Sequence, residues 1–319
     1  MSRKVLNKRN INVRILIQSE RKEELYCMYK LVAIDIDGTL LNSYGEISNK
    51  NIETIKKAKE KNVEIVLASG RPIVSVKNLA NQIGADNYMI CGNGAITYDI
   101  QNEKIIYDRF LEKSKVLQIV KICEENSIFY SIYTKDTILT KNLNYNVLFF
   151  YKENEGKPDE KKTDISIIQN IEEYIQKRKE EDYLKITICD GNKAVFENII
   201  RKLKTVGNVE VLDVEHMSRK KIKNGNDEFL IEYFYTEITN TNVDKWAALE
   251  NLINILGIKK EEVITIGDNV NDTLMVKNAG LGVMVENAAT YIKENADFIA
   301  KDNDSDGVAQ TIEKFILKE

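Results

Sequence analysis

The 319-residue sequence predicts an α/β fold: a doubly wound, Rossmann-like parallel sheet forms the core, and an α+β domain is inserted into it. Three apolar runs, Leu31–Ile34, Val63–Ala68 and Val263–Ile266, have the character of buried strands, and each is followed by a short polar segment that contains a glycine. Because open α/β sheets bind ligands beyond the carboxyl ends of their strands, functional residues are expected at these three ends.

The first strand ends in Asp35-Ile36-Asp37-Gly38-Thr39, which places two carboxylates two residues apart. In such a pair one carboxylate can attack an electrophile and form a covalent intermediate, while the other protonates the leaving group and later activates water. On an ideal strand, residues two apart share a face. The actual placement of the two acids therefore depends on how the chain bends at Gly38. The alternative is a strand end that runs into an ordinary Asx-type turn.

The second strand ends in Ser69-Gly70-Arg71-Pro72. A hydroxyl and a glycine amide at a strand end, with Pro72 opening the next helix, form a cradle for phosphate oxygens at a helix N-terminus. A simple Ser-Gly turn is the alternative.

A helix is predicted from about Asn242 to Leu256, with Gly257 at its C-terminal end. Lys245 lies near the amino end of this helix, where the macrodipole favours anions rather than cations. Its position therefore indicates a bound anion nearby, although a solvated lysine would also explain it.

The third strand ends in Gly267-Asp268-Asn269-Val270-Asn271-Asp272 and turns into a helix. Helix capping alone could explain acidic residues at this point. Together with Asp35 and Asp37 at a second strand end, Asp268 and Asp272 are better interpreted as part of a site for Mg2+, which prefers carboxylate oxygens and a substrate phosphate.

These segments, in this order, resemble the four signature motifs of the haloacid dehalogenase superfamily, and in detail its Cof-like hydrolase branch. The matching residues are Asp35 to Leu41 for the first motif, Ser69 to Pro72 for the second, Lys245 for the third and Gly267 to Asp272 for the fourth. Cys91-Gly92-Asn93-Gly94-Ala95 also resembles the strand-to-loop passage beside the active site of this branch. The resemblance covers about residues 29 to 317.

The resemblance implies a Mg2+-dependent phosphotransfer site. Asp35 would be the nucleophile that forms an aspartyl-phosphate and would also bind the metal. Asp37 would be the general acid and base, with its backbone carbonyl on the metal, and Asp268 would be the second carboxylate ligand. A haloacid dehalogenase releases a halide that needs no proton, so the acid at Asp37 argues for phosphate chemistry instead.

The same resemblance assigns the phosphate-binding side of the site. Ser69 and Gly70 would hold the transferring phosphoryl group, and Lys245 would neutralise its charge and that of the nucleophile. Asp272 would position Lys245 or a metal-bound water without binding the metal itself. The further substrate-binding residues are Ile36, Arg71, Asn93 and Asn271, the last as a phosphate contact.

The predicted domains are an N-terminal extension over residues 1–28, a catalytic core over 29–107 and 236–319, and an α+β insertion over 108–235. In the family such an insertion is a cap that covers the site and selects the substrate. Its predicted elements, in chain order, are a helix Lys113 to Asn126, strands Ile128 to Tyr133, Thr137 to Thr140 and Tyr145 to Tyr151, a charged loop, a helix Ile167 to Arg178, a strand Leu184 to Cys189, a helix Lys193 to Lys204 and a strand Val209 to Val214. The single histidine, His216, is expected in a surface loop, and the extension is expected to be flexible, with no function assigned.

Composition limits the function further. The formal charge of 46 minus 50, or -4, without a basic face argues against nucleic-acid binding, and the apolar runs are too short to span a membrane. The cysteines are scattered, which fits reduced thiols and a cytoplasmic location; they are Cys27, Cys91, Cys123 and Cys189.

The expected protein is therefore a Mg2+-dependent phosphatase acting on a small phosphorylated metabolite, a sugar phosphate in particular. A phosphomutase and a ligand-sensing regulatory protein are the alternatives. The oligomeric state is not predicted.

Overall fold

A computed structural model describes residues 29–212, 218–224 and 227–318 of the chain. The predicted N-terminal extension and His216 lie outside these residues. Two β-sheets organise the described part of the chain, one of eight strands and one of seven.

The strands of the described residues are, in chain order, β1 (Leu31–Ile34), β2 (Glu64–Ala68), β3 (Tyr88–Cys91), β4 (Ile96–Asp99), β5 (Lys104–Asp108), β6 (Phe129–Thr134), β7 (Thr137–Thr140), β8 (Asp164–Ile167), β9 (Tyr183–Asp190), β10 (Val209–Val211), β11 (Ser218–Asn224), β12 (Asp227–Asn240), β13 (Val263–Gly267), β14 (Leu281–Val285) and β15 (Phe298–Ala300).

The α-helices of the described residues are α1 (Asn49–Glu60), α2 (Ile73–Ile83), α3 (Lys113–Glu125), α4 (Tyr145–Glu153), α5 (Ile171–Lys177), α6 (Lys193–Leu203), α7 (Lys245–Leu256), α8 (Thr273–Asn278), α9 (Thr290–Lys293) and α10 (Gly307–Ile312). A π-helical segment, Glu313–Leu317, follows α10.

The eight-stranded sheet has the order β15-β14-β13-β1-β2-β3-β4-β5. The pairings from β15 to β3 are parallel, and β4 and β5 extend that edge as antiparallel strands. Because β1 lies between β13 and β2 in register, with Leu31 opposite both Val263 and Glu64, the ends of these three strands meet at one edge of the sheet. This is where the sequence predicts the functional residues.

Helices cover both faces of this sheet, and β1 is accordingly apolar at every position. Val32 and Ile34 join one apolar cluster with residues of α1 and α2, such as Ile55 and Val76. Leu31 and Ala33 face the other way and join a second cluster, which contains Leu249, Leu252 and Met275 of α7 and α8. Alternate side chains of a strand point to opposite faces, so the run is buried on both sides, as in a doubly wound core.

The seven-stranded sheet has the order β10-β12-β9-β6-β7-β8, with β11 paired to β12, and only its β7–β8 pairing is parallel among the described residues. Helices α3, α5 and α6 pack on one face through a separate apolar cluster. The opposite face contributes Tyr133, Ile138 and Leu184 to the core cluster. This mixed sheet therefore forms a cap against the core, and the predicted fold class is confirmed.

The prediction of a strand over Tyr145 to Tyr151 is wrong, since this segment is helix α4. Its aromatic residues favour strands, but Val147 to Tyr151 is an unbroken apolar run that has neither helical nor strand periodicity. Packing decides the outcome. Val147 is fully buried, and the ring of Phe150, one turn later, packs against the ring of Tyr133 with 6.0 Å between the ring centroids.

The charged loop and helix predicted up to Arg178 also differ from the structure. Strand β8 occupies the end of that loop and pairs with β7, and helix α5 begins only at Ile171. Asn170 accepts a hydrogen bond from the backbone N–H of Glu173, which caps the helix at this later start.

Candidate active site

The end of β1 carries Asp35 and turns sharply. The Asp35 N–H donates to the carbonyl of Ile266 at 2.9 Å, so the residue continues the pairing with β13, and it is 4% exposed. The carbonyl of Ile36 then accepts from the N–H groups of Leu40 and Leu41 at 3.1 and 2.9 Å, which closes the turn. Because the Ile36 side chain is fully buried, this predicted substrate-binding residue could act only through its backbone.

Gly38 allows the turn to approach the end of β13. Its φ is +84°, and a Cβ at this position would lie 2.4 Å from Oδ2 of Asp268. Glycine alone tolerates both this backbone conformation and this contact. The carboxylates of Asp35 and Asp268 therefore come from sequence-distant strand ends that meet here.

Lys245 is the first residue of α7, and its side chain has no exposed surface. Its Nζ donates to Oδ1 of Asp35 at 2.5 Å and to Oδ1 of Asp272 at 2.6 Å. Burial opposes the charge of Lys245, but the two carboxylates outweigh it and raise its pKa above the usual value. The anions expected near this helix start are thus carboxylates of the chain itself.

Asp272 is held in place by both of its oxygens. It lies in the short turn Val270–Asp272, where Oδ2 accepts from the N–H groups of Asp268 and Asn269 at 3.0 Å each, while Oδ1 accepts from Lys245. A Cβ on Gly267 would lie 2.4 Å from the Cβ of Asp272, so this close packing also depends on a glycine. With its oxygens engaged, Asp272 is suited to holding Lys245 and the loop.

The three carboxylates of Asp35, Asp268 and Asp272 have oxygens within 4.8 Å of one another. Burial, and then the charge of Asp272, raises the pKa of Asp35 to about 7 despite Lys245. Burial and the charge of Asp35 raise the pKa of Asp268 well above its usual value. Asp35 and Asp268 are hard oxygen donors whose charges one lysine does not balance, so the cluster fits a divalent cation.

Ser69 and Gly70 lie at the neighbouring strand end, beside Asn93. The N–H of Ser69 donates to the carbonyl of Ile90, and the N–H of Asn93 donates to the carbonyl of Ser69, both at 2.9 Å. A Cβ on Gly70 would lie 2.7 Å from Oδ1 of Asn93 and 2.8 Å from Nζ of Lys185. The glycine therefore leaves room for two polar side chains next to the predicted phosphate cradle.

A hydrogen-bonded chain links this cradle to the cap. Asn271 donates to Oδ1 of Asn93 at 3.0 Å, Asn93 donates to Glu237 of β12, and Lys185 of β9 pairs with the same carboxylate. The Lys185 ammonium also lies 4.8 Å from the centre of the Tyr133 ring. Lys185 and Glu237 were not among the predicted site residues; the signal for Lys185 was a lysine within the apolar strand β9.

Arg71 joins the core to the cap on the other side of the site. Its guanidinium donates to both oxygens of Asp37, each at 2.8 Å, and to both oxygens of Glu153 at 2.8 and 2.9 Å. Arg71 is buried, while the Asp37 side chain is 47% exposed. Glu153 ends α4 and was missed because the predicted strand stopped at Tyr151, which left Glu153 in the charged loop.

Two remaining expectations concern the cysteines and membrane-spanning segments. Cys91 and Cys123 are buried free thiols, and the buried Cys189 donates from Sγ to Oδ1 of Asn146 at 3.4 Å. Within the described ranges no helix has the length and apolar character needed to cross a bilayer.

The doubly wound core, the mixed cap sheet and the buried carboxylates around a lysine at the strand ends are the features of an α/β enzyme with an inserted cap. The model of the haloacid dehalogenase-like hydrolase family matches residues 32–312. The chain belongs to this family, which confirms the resemblance seen in its motifs.

The relatives cover nearly the whole chain. Phosphatase YwpJ of Bacillus subtilis (strain 168) is 25% identical, over 90% of this chain and 100% of its own length. From the same strain, 5-amino-6-(5-phospho-D-ribitylamino)uracil phosphatase YcsE is 27% identical, over 90% of this chain and 96% of its own length. The crystal structure of a haloacid dehalogenase-like hydrolase from Bacteroides thetaiotaomicron is 28% identical, with a TM-score of 0.73, over 90% and 99%. The chain is accordingly a phosphatase, a hydrolase of phosphoric monoesters.

Proposed function

We propose that this protein is a Mg2+-dependent phosphatase that hydrolyses a small phosphomonoester, in particular a sugar phosphate, through an aspartyl-phosphate on Asp35. The observation that carries the proposal is the convergence of the buried Asp35 and the half-buried Asp268 on one position, with the buried Lys245 beside Asp35. Bound there through Asp35, Asp268 and the backbone carbonyl of Asp37, Mg2+ would neutralise charge on the phosphoryl oxygens.

In the first step, an oxygen of Asp35 forms a bond to phosphorus, and the bond to the leaving oxygen breaks. Asp37 donates a proton to that oxygen. Lys245 reduces the repulsion between the anionic nucleophile and the phosphate, because its ammonium lies against Asp35 in a buried position. Asp272 fixes Lys245 from the opposite side.

In the second step, water attacks phosphorus, Asp37 accepts a proton from that water, and phosphate leaves as Asp35 is released. Ser69, Gly70 and Asn271 hold the phosphoryl group through hydroxyl, amide N–H and side-chain amide. The backbone of Ile36 and the side chains of Arg71 and Asn93 complete the substrate-binding set. Here Asn93 already donates to a cap carboxylate, which supports a role between phosphate and cap.

The cap supports a small, polar leaving group. Its sheet packs against the core beside the strand ends, so a macromolecular substrate would be obstructed. Lys185 and Glu237 offer a donor and an acceptor next to Gly70, a combination that suits hydroxyl groups. A polyol phosphate also agrees with the name of YcsE, which specifies a phosphorylated ribityl chain. The buried thiols of Cys91 and Cys123 favour the cytoplasm as the place of action.

Asp35→Asn tests the proposal. The amide keeps the shape of the side chain but is not a nucleophilic anion, so Mg2+-dependent release of phosphate from 4-nitrophenyl phosphate is expected to fall by more than about 10³-fold. Asp136→Asn, at a side chain 72% exposed, is the matched control and should retain activity.

Persistent turnover in the Asp35→Asn protein would contradict the role of the nucleophile. The products of sugar phosphates should be analysed in parallel with a panel of phosphorylated metabolites. Free phosphate supports a phosphatase, whereas an isomerised sugar phosphate would indicate a phosphomutase.

A further inference from the structure

The Arg71 guanidinium is divided between the core and the cap. Nε and Nη2 donate to Asp37, Nη1 and Nη2 donate to Glu153, and Nη1 also donates to Oγ of Ser75 at 3.0 Å. A guanidinium has five N–H groups, and these contacts engage all of them. The Arg71 side chain is only 8% exposed, so water could not readily replace a lost partner.

The cap side of this arrangement comes from a single helix, α4. Glu153 is its last residue, and Phe150, one turn earlier, places its ring 5.6 Å from Cζ of Arg71. The core side is Asp37, two residues after the nucleophile. Arg71 therefore connects the predicted acid and base directly to α4.

Stability alone is a weak explanation for this cluster. Burying the guanidinium costs desolvation energy that offsets much of its attraction to the two partly exposed carboxylates. Two bidentate pairs do, however, fix the orientation of a planar guanidinium, and the guanidinium in turn fixes the Asp37 carboxyl group. Small errors in the placement of a catalytic group reduce rates strongly.

We propose that Glu153 is a positioning residue: from the cap it holds Arg71, which aligns Asp37 with the leaving oxygen, so that proton donation depends on docked α4. This inference rests on the proposed function. As the oxygen of Asp35 bonds to phosphorus, the leaving oxygen takes the electron pair of the broken bond and the proton of Asp37. The resulting carboxylate stays paired with Arg71, which holds it for the water step.

The test compares two esters of similar shape, phenyl phosphate and 4-nitrophenyl phosphate, in the presence of Mg2+. Phenolate is the stronger base and needs the proton more than 4-nitrophenolate does. Glu153→Gln keeps the size of the side chain but leaves one acceptor oxygen for Arg71. We expect kcat/KM to fall about 10-fold for phenyl phosphate and less than about 2-fold for 4-nitrophenyl phosphate, since general acid catalysis matters most with the poorer leaving group.

Glu155→Gln is the matched control, because Glu155 follows α4 closely, is 59% exposed and pairs with Lys152. It should leave both values unchanged. The ratio of the two kcat/KM values is measured on one sample, so partial unfolding of a variant does not alter it.

Equal losses with both esters, or no loss with either, would overturn the positioning role while leaving the phosphatase proposal intact. If the wild-type chain turned over neither ester, the proposed function would fail, and the role of Glu153 with it.

Discussion

Lys245 is the residue on which the charge balance of the site depends. It has no exposed surface, and its ammonium is shared by Asp35 and Asp272. Removing one partner from a buried ion pair leaves a charge without compensation, which costs far more than the pair contributes. The lysine therefore serves the fold as well as the chemistry.

Lys245→Met should lower the free energy of unfolding by about 3–5 kcal/mol at neutral pH or above. The loss should shrink as the pH falls, because the pKa of Asp35 is already raised to about 7, mainly by burial, and would rise further without its cation. A carboxyl with a raised pKa in the folded state binds more protons folded than unfolded, so lower pH favours folding. Urea denaturation at neutral pH and at lower pH measures the free energy of unfolding.

Lys50→Met provides the comparison, because Lys50 lies 3.3 Å from Glu313 and is half exposed. Its effect should stay within about 0.5 kcal/mol. A Lys245 variant as stable as the Lys50 variant would show that the buried lysine is not needed for charge balance.

The sequence could predict residues at the ends of core strands, such as Asp35, Ser69 and Asp268. Parallel strands place their carboxyl ends at one edge, so local patterns suffice to bring these residues together. Glu153 and Glu237 could not be predicted in this way, because they lie on elements of the cap, α4 and β12. Which of its side chains face the core depends on how the cap sheet packs, which no local pattern encodes.

The helix with a clear end signal is predicted better than the helix within an apolar run. Helix α7 ends at Leu256 as predicted, with Gly257 in the left-handed conformation. Helix α4 has no side-chain hydrogen bond at its N-cap Asn144, and Val147 to Tyr151 is continuously apolar. Packing against Tyr133 and the core, rather than a local signal, makes this segment helical.

Gly257→Ala should destabilise the protein by about 1–2 kcal/mol, because φ is +67° and an L-residue is strained there. No neighbouring atom lies within 4 Å of the position that a Cβ would take, so the loss should come from the backbone alone. The free energy of unfolding in urea measures the effect.

Gly207→Ala is the control for this substitution. Position 207 is equally open and has no left-handed φ, so alanine should be tolerated there. If both variants lost the same stability, backbone strain at Gly257 would not be the cause.

The acidic cluster joins segments that are more than two hundred residues apart in the chain. Asp35 follows β1, whereas Asp268 and Asp272 follow β13. Only the folded chain brings them together, so a cation bound by this cluster stabilises the whole fold.

Mg2+ should raise the melting temperature, and the rise should be larger at about pH 8 than at about pH 5.5, because protons compete for carboxylates with raised pKa values. Burial raises the pKa of Asp35 to about 7, so below that pH its proton must be displaced. At one hundred times the dissociation constant the gain is about 2.7 kcal/mol. Differential scanning calorimetry measures it.

Sodium chloride at matched ionic strength should not reproduce the shift, and Asp268→Asn should greatly reduce it. An equal shift in that variant would place the cation elsewhere.

The geometry of this site depends on the absence of a side chain at Gly38. A single methyl at this position would occupy the space that an oxygen of Asp268 now fills, 2.4 Å away. The loops after β1 and β13 can therefore approach this closely only because Gly38 has a hydrogen where other residues have a Cβ. The width of the proposed cation site is therefore limited by Gly38, which itself bears no functional group.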